Sequence, residues 1–141
     1  MLILPGILWR EIEERTRLAL PDEACGLLLG KIIAGEFEVS ALAAGRNVAV
    51  DPRTHFEIDA LDVLEAEDGA RAAGLSIVGV WHSHPRGPLA PSAQDETHAC
   101  SSWLTLIAVP QEQGGMELGC WRKTEGGYES IGVGQPIAVR R

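Results

Sequence analysis

The sequence predicts a single α/β domain in which helices sandwich a mixed, mainly antiparallel sheet. Three observations predict this fold class: the order of helical and strand patterns, the glycine turns that join several strands directly, and the lack of repeated strand–helix–strand units. Strands joined by short turns pair antiparallel, whereas a parallel sheet needs a crossover helix between its strands. A chain of 141 residues is long enough to bury a sizeable core without disulfides.

Three helices are predicted from apolar periodicity and from their end signals. The first is Gly6–Leu20, which Pro21 ends, and the second begins at Asp59 and continues to about Ala73. The third is predicted over Ser92–Ser102, with Ser92 as its cap. The residues predicted to face the core are Leu8, Ile12 and Ala19 in the first helix and Leu61, Leu64 and Ala72 in the second.

Strands are predicted where apolar residues run together or alternate between turn residues. A hairpin around Gly35 joins the first two strands, and glycine pairs at 114–115 and 126–127 separate the last three. The first predicted strand follows the acidic turn at Glu23 and ends near Ile33, and the others are 37–42, 55–58, 75–81, 104–109, 117–121 and 128–133. The domain would therefore comprise residues 1–134, and residues 135–141 would form a loose C-terminal tail.

Composition excludes several classes of partner. The chain has 20 acidic and 12 basic residues, a formal charge of −8, and no cluster of Lys or Arg within the predicted domain, so a nucleic-acid partner is not expected. The apolar segment Met1–Trp9 is short and lacks the basic start and cleavage pattern of a signal peptide. No segment has the roughly 18 apolar residues needed to span a bilayer. We therefore expect a soluble, cytoplasmic protein without a membrane partner; the sequence does not indicate its oligomeric state.

A candidate metal site follows the apolar strand 75–81. His82 and His84 are two residues apart, so on extended backbone they project from the same face, and Pro85 disfavours helical backbone at His84. Asp95 falls in the first turn of the helix that Ser92 caps and can face back toward the strand end. Two imidazoles and one carboxylate match the three protein ligands of a catalytic zinc site. Taken singly, a His-x-His pair or a Ser-x-x-Asp cap is a common structural feature.

Other potential site residues receive structural interpretations. His98 lies one turn after Asp95 and could be a fourth metal ligand. It is expected instead to contact solvent or one of the metal-binding side chains, because a hydrolytic metal needs an open coordination position. Cys25, Cys100 and Cys120 lack the spacing of a redox pair or zinc ribbon and are predicted to be free, buried thiols.

Together these intervals resemble the JAMM (MPN-plus) zinc metalloprotease family, in its stand-alone prokaryotic form. The family signature is a distant Glu, then His, Ser or Thr, His, seven residues, Ser, two residues and Asp. Each position is present, and further likeness lies in the segments 21–30 and 78–81. The matching residues are Glu23, His82, Ser83, His84, Ser92 and Asp95.

The resemblance implies a cytidine-deaminase-like MPN/JAB fold and a zinc-dependent peptidase or isopeptidase. His82, His84 and Asp95 would bind one Zn²⁺ per chain, Glu23 would be the general acid/base, and Ser92 would help to stabilise the tetrahedral intermediate. The substrate would be a ubiquitin-like or sulfur-carrier protein, cut at its C-terminal Gly-Gly tail. Little room for insertions separates Glu23 from His82, which favours carrier proteins over ubiquitin itself.

Two rival functions use the same residues differently. Two histidines and a carboxylate also describe the ligand set of a non-haem iron enzyme, but Glu23 and Ser92 would then have no role. A non-catalytic MPN scaffold domain would be expected to have damaged ligand positions, and every position of the signature is intact.

Overall fold

The computed structural model describes residues 1–93 and 102–136 of the chain. Within these residues, two helices pack on one eight-stranded sheet. Helix α1 is Gly6–Ala19 and helix α2 is Ala60–Ala72, close to their predicted bounds. The strands are β1 Leu2–Ile3, β2 Cys25–Ile33, β3 Glu36–Gly45, β4 Ser76–Ser83, β5 Leu104–Pro110, β6 Met116–Thr124, β7 Gly127–Ile131 and β8 Val133–Gly134.

The sheet is mixed and mainly antiparallel, as predicted. Its strand order is β7-β6-β5-β4-β2-β3-β1-β8. The pairs β2–β3, β2–β4, β5–β6 and β6–β7 are antiparallel, whereas β4–β5, β1–β3 and β1–β8 are parallel. The central strands β2 and β4 are therefore antiparallel neighbours although about 50 residues separate them along the chain.

The two helices cover opposite faces of this sheet. Successive side chains of β2 alternate between the faces, so Leu28 packs into one apolar cluster and Leu27 into the other. The first cluster includes Ile12 of α1, and the second includes Ala66 of α2. This arrangement confirms the predicted sandwich of helices around a sheet.

The strands β2 and β4 pack tightly at Gly26 and Trp81, next to the paired residues Cys25 and His82. Gly26 is paired with Trp81, whose side chain is fully buried. A Cβ atom at Gly26 would collide with the Trp81 indole and with the carbonyl oxygen of Ala43. Glycine is therefore required at this position for the large indole to lie across β2, directly beside the end of β4.

The predicted inner face of α2 was wrong. Leu61 and Leu64 are 61% and 56% exposed and Ala72 is also exposed, whereas Ala66 and Ala70 are buried. The opposing sheet face carries large residues such as Leu27 and Leu29, against which small alanines allow the helix to approach closely. Hydrophobicity alone favoured the leucines, but shape complementarity selected the alanines.

The predicted strand at residues 55–58 was also wrong. Only an isolated bridge joins Ile58 to Asn47, and residues 46–59 form a loop beside the start of β2. The strand predicted over residues 128–133 is divided into β7 and β8, and β1 was not predicted because it is only two residues long.

Most of the predicted third helix lies outside the described residues, together with Asp95, His98 and Cys100. Within the described ranges, neither helix combines the length and the apolar character needed to cross a membrane.

Candidate metal centre

The site is built where β2 begins and β4 ends. Cys25 is paired with His82, so two residues further along this antiparallel register Glu23 lies opposite His84. Ser83 joins the two chains between them: its Oγ accepts a hydrogen bond from the Ala24 N–H at 2.8 Å, and its own N–H donates to the Ala24 carbonyl at 3.0 Å. Ser83 thereby holds Glu23 beside the two histidines.

Glu23, His82 and His84 form a buried cluster of potential metal ligands. One ligand atom from each residue lies within 4.8 Å of the others. The ring centroids of the two histidines are 4.9 Å apart, and Glu23 Oε1 is 3.4 Å from His82 Nδ1. All three side chains are buried, His82 completely. The predicted projection of both histidines from one face thus agrees with the structure.

The tautomer of His84 follows from its hydrogen bond. His84 Nδ1 lies 2.8 Å from the carbonyl oxygen of Pro88. A carbonyl oxygen can only accept a hydrogen bond, so Nδ1 carries the proton and, in the neutral ring, Nε2 keeps its lone pair. A backbone carbonyl that orients a histidine in this way is common at metal sites. Nε2 is therefore the nitrogen of His84 that is suited to bind a metal.

The loop 46–59 supports the cluster through Asn47, the only asparagine in the sequence. Its side-chain NH₂ donates to the carbonyl oxygens of Glu23 at 3.0 Å, His55 at 2.9 Å and Pro52 at 3.4 Å. Its carbonyl oxygen accepts from the N–H groups of Ala49 and Glu57, each at 3.1 Å. One side chain therefore closes the loop on itself and ties it to Glu23.

The same loop places an aromatic ring against the cluster. Phe56 stacks on His82 with ring centroids 4.2 Å apart and an interplanar angle of 17°. This contact limits the orientations available to the His82 ring and covers one of its faces. Sequence reasoning missed both Asn47 and Phe56; a lone asparagine within a predicted loop was the available signal for the first.

We expect Asn47→Ala to destabilise the fold by about 2–4 kcal/mol, because several partly buried backbone groups lose their partner at once. Asn47→Asp keeps an acceptor for Ala49 and Glu57 but places a second oxygen against three carbonyls, so it should destabilise at least as much. Urea unfolding of the two variants measures both effects. An unchanged midpoint for Asn47→Asp would contradict the supporting role of this side chain.

The cluster opens into a cavity of about 710 Å³. Glu23, His84 and Ser92 all line it, so the structure brings Ser92 to the same site although it is distant from Glu23 in sequence. Asp95 and His98 were predicted near this position and lie outside the described residues. The remaining walls come from Leu20, Pro21, Arg53, Thr54, Pro85, Arg86, Gly87 and Pro88.

Cys25 and Cys120 are free and buried, as predicted. Burial raises the pKa of each thiol to about 12, and the negative charge of Glu23 adds to the rise at Cys25. A raised pKa leaves the neutral thiol dominant at pH 8, and the neutral thiol is a poor nucleophile.

We therefore expect iodoacetamide at pH 8 to alkylate Cys25 and Cys120 far more slowly in the folded protein than in the urea-unfolded protein. Peptide mass spectrometry resolves the two sites. Rapid alkylation of Cys25 in the native protein would contradict the inert role assigned to its thiol.

The donor chemistry of the cluster fits a metal ion. Glu23 Oε1 is buried and makes no hydrogen bond within residues 1–93 and 102–136. An ionised carboxylate in this position is costly unless positive charge compensates it, and a divalent cation within the cluster would supply that charge. Imidazole nitrogens with carboxylate oxygens are ligands that zinc accepts, and that iron accepts as well.

A mixed sheet between two helices, with a buried Glu–His–His cluster at the edge of a cavity, is the arrangement expected of a JAMM-type metal-binding domain. Comparison with known families agrees with this class. Residues 6–123 match the family of prokaryotic homologs of the JAB domain. The chain belongs to this family, as the resemblance to JAMM proteins predicted.

Individual relatives are similar over part or all of the chain. A desampylase of Haloferax volcanii is 37% identical over 64% of this chain and 64% of its own length. A probable TtuB-protein conjugate cleaving protease of Thermus thermophilus is 37% identical over 61% of this chain and 57% of its own length. The chain thus spans less than two thirds of the length of these two relatives. A solution structure from Desulfitobacterium hafniense superposes with a TM-score of 0.88 at 28% identity, covering 99% of this chain and 95% of that one.

Proposed function

We propose that this protein is a zinc-dependent peptidase or isopeptidase of the cytoplasm. It hydrolyses the peptide or isopeptide bond at the C-terminal Gly-Gly tail of a ubiquitin-like or sulfur-carrier protein. The observation that carries the proposal is the buried convergence of Glu23, His82 and His84 beside an open cavity. The names of the relatives, a desampylase and a conjugate-cleaving protease, support the type of substrate.

His82, His84 and Asp95 are the proposed ligands of one zinc ion per chain. When bound, zinc polarises a scissile carbonyl and acidifies water, so that no covalent nucleophile is needed. The neutral tautomer of His84, with Nε2 free of its proton, suits this role. The inert thiol of Cys25 is consistent with the same interpretation.

Glu23 is the proposed general acid/base. Its carboxylate takes a proton from the attacking water and delivers it to the leaving amine. The backbone of Glu23 is fixed on both sides, since its N–H donates to the Pro52 carbonyl at 2.8 Å and its carbonyl accepts from Asn47. A base on a backbone held in this way needs little main-chain rearrangement before proton transfer.

Ser92 is the proposed donor to the developing oxyanion. It lines the same cavity as Glu23 and His84, from the opposite end of the proline-containing loop 85–91. A hydroxyl that donates a hydrogen bond where negative charge accumulates stabilises the transition state more than the ground state.

The test is incubation of the zinc-loaded protein with carrier proteins extended beyond their Gly-Gly tail, either by a short peptide or through a lysine side chain. Mass spectrometry should show a product that ends at the second glycine. A carrier with Ala-Ala in place of Gly-Gly is the matched control, and it should be cut more slowly because its side chains widen the tail. Intact carrier after incubation with fully zinc-loaded protein would contradict the proposal, and hydrolysis by the iron-loaded protein alone would contradict zinc as the metal.

A further inference from the structure

Two arginines line the cavity beside the metal cluster and have no role in the proposed mechanism. Arg53 comes from the loop 46–59, and Arg86 comes from the turn that follows His84. Both side chains are exposed at the cavity wall. The protein as a whole carries a formal charge of −8, so the two guanidinium groups place positive charge at this cavity against the overall negative charge of the protein.

Among the described residues, no carboxylate neutralises the charge of Arg53 or Arg86 through an ion pair. The Asp51 carboxylate, close in sequence to Arg53, accepts a hydrogen bond from Thr54 instead. Four of the six other arginines in the described residues have an acidic partner, namely Arg15, Arg17, Arg46 and Arg71.

The backbone that carries each arginine is tied directly to a site residue. The Pro52 carbonyl, next to Arg53, accepts the hydrogen bond from the Glu23 N–H. Arg86 lies within a turn that the Gly87 N–H closes on the His84 carbonyl at 3.0 Å. The backbone beside each arginine is therefore held by a hydrogen bond to Glu23 or to His84.

We infer that Arg53 and Arg86 form a carboxylate-binding subsite that recognises an acidic group of the substrate close to the scissile bond. This inference rests on the proposed function and deepens it by assigning a preference among substrates. Guanidinium groups bind carboxylates through paired, charge-assisted hydrogen bonds. This contact would involve neither the metal ion nor the residues proposed to bind it. The carboxylate is supplied either by an Asp or Glu side chain or by a free C-terminus just beyond the bond.

The test uses peptides that share one Gly-Gly tail and a short extension. One pair differs only in an acid or an amide at the C-terminus, and a second pair differs only in Glu or Gln within the extension. The zinc-loaded protein should show a higher kcat/KM for the acidic member of one pair by about 5- to 20-fold, mainly through KM, as expected for a partly solvated charge pair. The pair that discriminates identifies the source of the carboxylate, and the preference should fall as salt is raised.

The double variant Arg53→Gln/Arg86→Gln should reduce the acid-to-neutral ratio toward one. Arg10→Gln/Arg71→Gln removes the same charge from the two helices and should keep the ratio of the unchanged protein. Arg53→Lys/Arg86→Lys keeps the charge without the paired hydrogen bonds and should retain an intermediate ratio. Circular dichroism and zinc content establish that each variant folds, and single variants replace any double variant that does not.

A binding measurement separates this inference from the proposed function. The same peptides, labelled at the N-terminus, are titrated against Glu23→Gln protein and followed by fluorescence anisotropy. Tighter binding of the acidic peptides that depends on Arg53 and Arg86, without cleavage by the unchanged protein, would support the subsite and contradict the proposed hydrolysis. Equal binding and equal turnover of acidic and neutral peptides would overturn the subsite.

Discussion

Replacing His82, His84 and Asp95 together with alanine is expected to abolish tight zinc binding and, with it, all measurable hydrolysis. The proposed site has three protein ligands, and removing all of them leaves the Glu23 carboxylate as the single donor of the buried cluster, which is too few for tight binding. Zinc content after dialysis against a weak chelator measures the effect, and the unchanged protein should retain one zinc per chain. Its affinity should weaken as the pH is lowered, because only neutral imidazole binds zinc.

His55 provides the matched control for the metal prediction. Its Nδ1 lies 2.6 Å from Thr54 Oγ1, and it lines a different surface depression from that of His84. His55→Ala should keep its zinc and its turnover. A triple variant that still binds stoichiometric zinc would show that the ligands have been assigned to the wrong residues.

The histidine pair illustrates what local sequence can predict. Strand alternation and Pro85 are sufficient to place His82 and His84 on one face of extended backbone. The family signature adds Glu23, which local pattern alone could not associate with them. Their proximity depends on the pairing of β2 with β4, and strand pairing is a property of the whole fold.

The loop 46–59 shows where local reasoning fails. Alternating hydrophobicity at residues 55–58 favoured a strand, but backbone pairing here is limited to the bridge between Asn47 and Ile58. The Asn47 side chain bonds the His55 carbonyl and the Glu57 N–H. Phe56 then packs on His82 rather than in a sheet. The competing interaction is a side-chain hydrogen-bond network between residues up to 24 positions apart, which hydrophobic periodicity does not report.

The helix α2 shows a second limit. Periodicity predicted its existence and its cap correctly, since the Asp59 side chain accepts a hydrogen bond from the Leu61 N–H at 2.9 Å. It did not predict which face is buried, because Leu61 and Leu64 are more hydrophobic than the alanines that pack on the sheet. The choice depends on the space left by the opposing side chains, and that space is not visible in the helix sequence.

Glu23→Gln is expected to lower turnover by roughly 100- to 10,000-fold while zinc content and folding stay unchanged. Glutamine has nearly the same size and keeps one carbonyl oxygen, but it cannot accept the proton of the attacking water. Two hydrogen bonds fix the backbone of residue 23: its N–H donates to the Pro52 carbonyl, and its carbonyl accepts from the Asn47 side chain. Neither involves the side chain of residue 23, so both remain. The loss should therefore appear in kcat rather than in stability, and the rate should lose its dependence on the ionisation of this carboxylate.

Ser92→Ala is the comparison variant for Glu23→Gln, because it removes the proposed oxyanion donor and keeps the proposed base. Loss of an oxyanion donor lowers the rate by about 100- to 1,000-fold but leaves the base in place, so the pH profile should keep its shape at a reduced height. The two variants have similar expected losses, and the shape of the pH profile distinguishes a missing base from a missing donor. If Glu23→Gln protein remained active with zinc bound and an unshifted profile, Glu23 would be only a buried polar residue at a strand end, and the proposed proton transfer would have to be assigned to another group.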